Sequence, residues 1–236
     1  MKIKIKSSSV NINYDANVWD WDLVTAIFKC PESEALLKNL ELAEYKNFVR
    51  RVTDYFKPTN GRFCRMELTN QRSRFLARTA CYLLDFLIAS TSPEADKILE
   101  DFVKDIQVRK LKKKSFSLKF LIENVNLFQE CLLSLTNAES AHDCLFSPTR
   151  IATTGCQYYF LFIGRMSRSE KGRNVLDQCS ILGHFTELLA MRSDLYLKLV
   201  ISCLDYSSME WGSRYFFTFP TFYVKSTVCL LFPLFA

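Results

Sequence analysis

The sequence predicts an all-α protein in which helix packs on helix, and three observations carry that prediction. Apolar residues recur at the 3.6-residue period in one segment after another. Glycine and proline number only 6 each in 236 residues, too few to punctuate the dozen short strands of a sandwich or barrel. No strand pattern alternates with the helices, so they have only one another to cover their apolar stripes. A hydrophobic share of 49% beside 24% charged residues suits a folded core and excludes disorder, collagen-like and low-complexity classes.

The elements follow in chain order. A first helix is expected over about Asp20 to Phe28. The clearest stripe runs from Leu42 to Phe56, through Tyr45, Phe48, Val49, Val52 and Tyr55, before Pro58, Asn60 and Gly61 stop it. A third helix spans about Asn70 to Ile88. The fourth opens at Ser92-Pro93, a capping hydroxyl followed by proline at the first helical position, and buries Ala95, Ile98, Leu99, Phe102, Val103 and Ile106. Further helices are expected over about Ser117 to Leu135, Ser180 to Met191 and Ser193 to Tyr206. The run Tyr158 to Ile163 is apolar at six consecutive positions, where periodicity does not separate strand from buried helix. Loops are expected at 57–70, 107–116, 136–153 and 167–174. Helix pairs recurring over about forty residues suit an armadillo or HEAT stack, although no exact repeat is visible.

The net charge of +6 is concentrated. Arg109, Lys110, Lys112, Lys113, Lys114 and Lys119 lie in a stretch without an acid, and the rest of the chain is neutral. One basic spot is not the spread surface of a nucleic-acid binder, so no nucleic-acid partner is expected. It has two readings: a solvated loop at a helix C-terminus, where cations are favoured, or a contact for an acidic partner or phosphoinositide headgroup. Membrane contact would then be peripheral.

Nine cysteines are scattered without a CxxC pair, mostly inside apolar runs such as Ala80-Cys81-Tyr82-Leu83. They read as reduced thiols packed like small apolar residues, which points to a reducing compartment and a cytoplasmic location. The start of the chain, Met1-Lys2-Ile3-Lys4-Ile5-Lys6, lacks the apolar core of a signal peptide. The segment 215–236 is strongly apolar, but Pro220, Lys225 and Pro233 interrupt it, so it is not read as a membrane span.

Residue types for chemistry are sparse. His184 has no second ligand one turn away, and His142 lies too near Cys144 in sequence to form a base and nucleophile across a cleft. No glycine pattern makes a phosphate cradle. Glu94, Glu100 and Asp101 read as solvated helix surface rather than paired catalytic carboxylates. The expectation is a non-enzyme with no catalytic residue, no metal and no cofactor.

Several segments resemble the middle region of the Rictor family, the rapamycin-insensitive companion of the kinase TOR. They are Trp19-Asp20-Trp21-Asp22-Leu23, Phe48-Val49-Arg50-Arg51 with Tyr55-Phe56-Lys57-Pro58, and Leu99-Glu100-Asp101-Phe102-Val103-Lys104-Asp105-Ile106. Tyr159-Phe160-Leu161-Phe162-Ile163-Gly164, Lys171-Gly172 with Val175-Leu176-Asp177-Gln178-Cys179-Ser180, and Leu204-Asp205-Tyr206-Ser207 complete the set, which covers about 17–213. The resemblance implies an armadillo/HEAT-type helical superhelix and a non-catalytic scaffold subunit of TOR complex 2. It also implies TOR kinase and the other complex subunits as partners, and AGC-family kinases such as Akt as substrates reached through the complex. The alternative is another armadillo/HEAT adaptor that docks acidic partners or a membrane surface through 109–119. Three divisions follow: a poorly ordered 1–16, a helical repeat domain 17–214 with a divergent insert at about 108–153, and the atypical tail 215–236. The family pattern continues with helices where this tail stands, and the tail is expected to be a truncated or misjoined gene model.

Overall fold

Backbone groups left open at most helix starts find a nearby side chain, and those caps set where these elements begin. The structure, a computed structural model, describes residues 19–30, 40–107, 146–181 and 198–199. Helix α1 is Trp21–Lys29, where the Asp20 carboxylate accepts from the Leu23 N–H at 2.9 Å. Helix α2 is Ala43–Phe56. Helix α3, Gln71–Ala89, starts from Asn70, whose side chain accepts from the Arg72 N–H at 2.8 Å. Helix α4 is Pro93–Gln107, and Ser92 Oγ accepts from the Glu94 N–H at 3.3 Å. Helix α5, Pro148–Thr153, is capped by Ser147. Helices α6 (Tyr158–Ser167) and α7 (Glu170–Gln178) follow, and Ser169 caps α7 by accepting from the Gly172 N–H at 2.9 Å. Short 3₁₀ turns lie at Pro58–Asn60 and Gly155–Gln157.

The periodic stripes land where the pattern places them. All six apolar residues expected of α4 are buried, as are Tyr45, Phe48, Val49, Val52, Tyr55 and Phe56 of α2. Leu42 is the exception at 47% exposure. It is the N-cap, with extended backbone outside the helical turn, so its place in the stripe does not carry it inward.

One open reading is decided and two expectations change. The run from Tyr158 to Ile163, open between strand and buried helix on periodicity, is helical. The loop expected at 167–174 is only the junction Arg168-Ser169, because α7 starts at Glu170. Part of the loop expected at 136–153 is helix α5, with Ile151 fully buried. The expected helices at 117–135, 180–191 and 193–206, and the segments 1–16 and 215–236, lie wholly or almost wholly outside the described residues.

Helix α3 is the hub and packs against α1, α2, α4 and α6, while α7 packs on α4 and α6. The pairs α3–α4 and α6–α7 are helical hairpins with short connections. The described residues contain no strand, only one isolated antiparallel bridge between Glu67 and Thr154. The architecture is an all-α, solenoid-like stack.

Aromatic rings bind its layers. Phe162 of α6 stacks on Phe63 at 5.7 Å between ring centres and meets Phe102 of α4 at 6.2 Å and Tyr159 at 5.6 Å. Phe63 in turn meets Phe56 of α2 edge-on at 5.2 Å. The Tyr159 hydroxyl donates to the Phe56 carbonyl at 2.7 Å, so the buried phenol is satisfied. The 57–70 connection is tied down by Leu68 N–H to the Thr153 carbonyl at 2.9 Å and Gly155 N–H to the Met66 carbonyl at 2.8 Å. A β-carbon on Gly155 would stand 2.6 Å from the Phe63 carbonyl oxygen, so this approach requires glycine.

Candidate interaction surface

Arg109, Lys110, Lys112, Lys113, Lys114 and Lys119 lie outside the described residues, as do His142, Cys144 and His184. What the structure defines is the root of the basic run. Helix α4 delivers the chain to it, and Asp105 in the last turn accepts from the Thr59 backbone N–H at 3.0 Å and from Thr59 Oγ1 at 2.8 Å. The helix end before the run is therefore fastened to the Pro58–Asn60 turn.

Two of the three acids noted on α4, Glu94 and Glu100, are engaged in surface ion pairs. Glu94 meets Lys46 at 2.8 Å, Arg50 at 3.2 Å and Lys97 at 3.4 Å. The hydrogen bond from Lys46 comes first among the causes that hold its carboxyl below the usual range. Glu100 pairs with Lys104 at 2.9 Å, one turn apart. Asp101 lines a small cleft of about 130 Å³ between α2 and α4 with Arg50, Thr53, Asp54, Lys57 and Ile98. Such a volume holds a few waters and falls below the 300–1,000 Å³ usual for ligand pockets.

The thiols are quiet. Burial pushes Cys81 up to about 11, with Asp85 adding to the rise and Arg165 and Arg168 opposing it. Burial also raises Cys179. Both remain protonated at neutral pH, which is not the state of a nucleophile. Among the described residues, no three His, Cys, Asp or Glu side chains gather to hold a metal, and no helix is long and apolar enough to cross a membrane.

Two polar junctions emerge that sequence reading missed. Lys171 of α7 donates to the Leu87 and Ser90 carbonyls at the C-terminal end of α3 and pairs with Asp96 of α4 at 2.6 Å. One ammonium thus ties three helices at a negative helix end. Arg165 of α6 grips Asp85 of α3 with both arms, Nε and Nη2 each at 2.6 Å. The partners stand some eighty positions apart in the chain, and no local pattern announces a pairing across that distance.

Residues 137–219 match the family model of the rapamycin-insensitive companion of mTOR, middle domain. The chain is 29% identical over 206 residues to the rapamycin-insensitive companion of mTOR of Mus musculus, in an alignment that covers 87% of this chain and 10% of that protein. It is 25% identical over 210 residues to protein pianissimo A of Dictyostelium discoideum, covering 86% of this chain and 17% of the relative. Against the target of rapamycin complex 2 subunit ste20 of Schizosaccharomyces pombe it is 25% identical over 203 residues, 85% of this chain and 14% of the relative. The chain therefore spans a tenth to a sixth of the length of these curated relatives. The likeness to Rictor proteins runs along most of the chain, and the middle-domain match covers residues 137–219.

Proposed function

We propose that this chain, similar to the Rictor middle region, serves as a non-catalytic scaffold segment of TOR complex 2. Its role is to hold the TOR kinase and the other subunits together and to support signalling to AGC-family kinases such as Akt. The observation that carries this reading is the alignment over most of the chain with Rictor proteins and with a fission-yeast subunit of that complex. The helical stack supports it physically. A solenoid presents a long continuous surface whose stiffness comes from its core, so gripping partners requires no reactive site. The compartment is the cytoplasm, in keeping with cysteines that pack as reduced thiols. Affinity capture tests the reading: the tagged full-length protein should recover the TOR kinase and other complex subunits from its own cells. Recovery of neither would end it.

A second reading concerns the basic run. It follows a helix end fastened by Asp105 and Thr59, so its attachment point has a defined place on the surface. In this reading Arg109, Lys110, Lys112, Lys113 and Lys114 dock an acidic partner or the headgroups of an anionic membrane. Binding to phosphoinositide liposomes that disappears when these five residues are made neutral favours it. Binding that the substitutions leave unchanged opposes it.

A further inference from the structure

A second concentration of positive charge stands on the outward face of α3. Going round the helix at 100° per residue, Arg74, Arg78, Cys81, Tyr82 and Asp85 share one side, opposite the buried Leu76, Ala80, Leu83 and Leu87. Arg74 and Arg78 are exposed, and neither makes an ion pair with a described residue. Asp85 is the only acid of α3, and the Arg165 guanidinium already occupies both its oxygens. Within α3 it therefore leaves both arginines without a neutralising acid.

Neighbouring elements extend the face. Lys29, at the end of α1, sits over the Tyr82 ring at 5.2 Å. Exposed Arg168 follows α6, which contains no acid, and lies near enough to act on Cys81. Asp22, the acid of α1, lies seven residues before Lys29 on the same side of that helix, and the pairing of Thr25 with Thr79 puts it toward the Arg74 end, so it offsets one of the five cations and leaves the face positive. Leu161 of α6 lies one turn before Arg165 on the same stripe and is 48% exposed, an unusual outward position for a large apolar side chain.

We infer that this α1–α3–α6 face docks an acidic amphipathic helix of a partner protein. The cationic positions Arg74, Arg78 and Lys29-over-Tyr82 advance by one helical turn each, about 6 Å. A partner helix with acids at every fourth residue has the same rise and meets them one to one. Guanidinium forks suit carboxylates in that pairing. The acids sit over α3, and an adjacent apolar stripe of the partner covers Leu161. From Arg74 to Asp85 the face is about 16 Å long and is flanked by α1 and α6, a length that suits a short helix. It carries fewer cations than the six to ten phosphate contacts of a typical duplex binder, and it lacks the cluster of bulky apolar side chains that inserts into lipid. This inference does not depend on membership of TOR complex 2.

The test uses the full chain and a dye-labelled helical peptide with Glu at every fourth position and Leu along the adjacent stripe, read by fluorescence anisotropy. The Glu peptide should bind, its Gln counterpart should bind more weakly, and affinity should fall as salt rises. The double variant Arg74→Gln/Arg78→Gln should lose about tenfold in affinity, and Leu161→Ser should weaken binding as well. Arg72→Gln should leave it unchanged, since Arg72 lies about 160° round α3 from Arg74. These are exposed positions, and circular dichroism checks that each variant keeps its fold. Absence of peptide binding would overturn the proposal, as would equal affinity for the double variant. So would capture of phosphatidylserine vesicles in place of the peptide, in a manner that depends on Arg74 and Arg78. None of these results bears on recovery of the TOR kinase by the full-length protein, so the two readings fail separately.

Discussion

Helices α4 and α6 bury the same kind of residue, yet their sequences look nothing alike. In α4, acids and lysines fill the outward positions, and the inward stripe stands out by contrast. In α6 the outward position within Tyr158 to Ile163 is Leu161, so six apolar residues run together and the period is hidden. Both touch the same ring cluster, since Phe102 and Phe162 meet at 6.2 Å. A helix is legible when its exposed face is polar, and its fit to the core does not depend on that marking.

Substitutions that attack both helices break or sharpen the contrast. The largest effect is expected from Phe162→Ala, which opens a cavity among Phe56, Phe63, Phe102 and Tyr159 and should cost about 3–5 kcal/mol in denaturant unfolding. Phe102→Ala should fall in the same range despite its plainly amphipathic host. A loss at Phe162 no greater than at a surface site would refute the packing described for α6.

Next is Gly172→Ala at the α6–α7 junction. The added carbon would collide with the Met166 carbonyl oxygen, so one helix must move, at about 1–3 kcal/mol. An unchanged melting temperature would show that the hairpin is looser than this. Ser92→Ala removes the α4 cap and should cost about 1 kcal/mol. Smallest of all, Leu161→Gln should change stability by no more than about 0.5 kcal/mol, because the side chain is half in water. A large loss there would mean that the Leu161 side of α6 is covered by a part of the chain beyond the described residues.

Much of the helical stack was legible from residue spacing. The starts of α1, α3 and α4 lie at Asp20, Asn70 and Ser92, as capping side chains and periodicity indicate. Helix α7 was missed because it buries few side chains, chiefly Val175 and Leu176. Its Gly172 looks like a turn signal, but there it permits close approach to α6. The basic run at 109–119 was plain in the sequence. The α3 face was not, because its charges come from positions as distant as Lys29, Arg78 and Arg165.

Short-range pattern thus accounts for which segments coil and which side of each turns inward, because spacing and capping act within a few residues. It also accounts for the absence of a local signature for chemistry. Which helix becomes the hub, how a uniformly oily run is accommodated, and which distant cations share one face were left to packing. Those outcomes depend on contacts between segments whose separation along the chain carries no periodic trace.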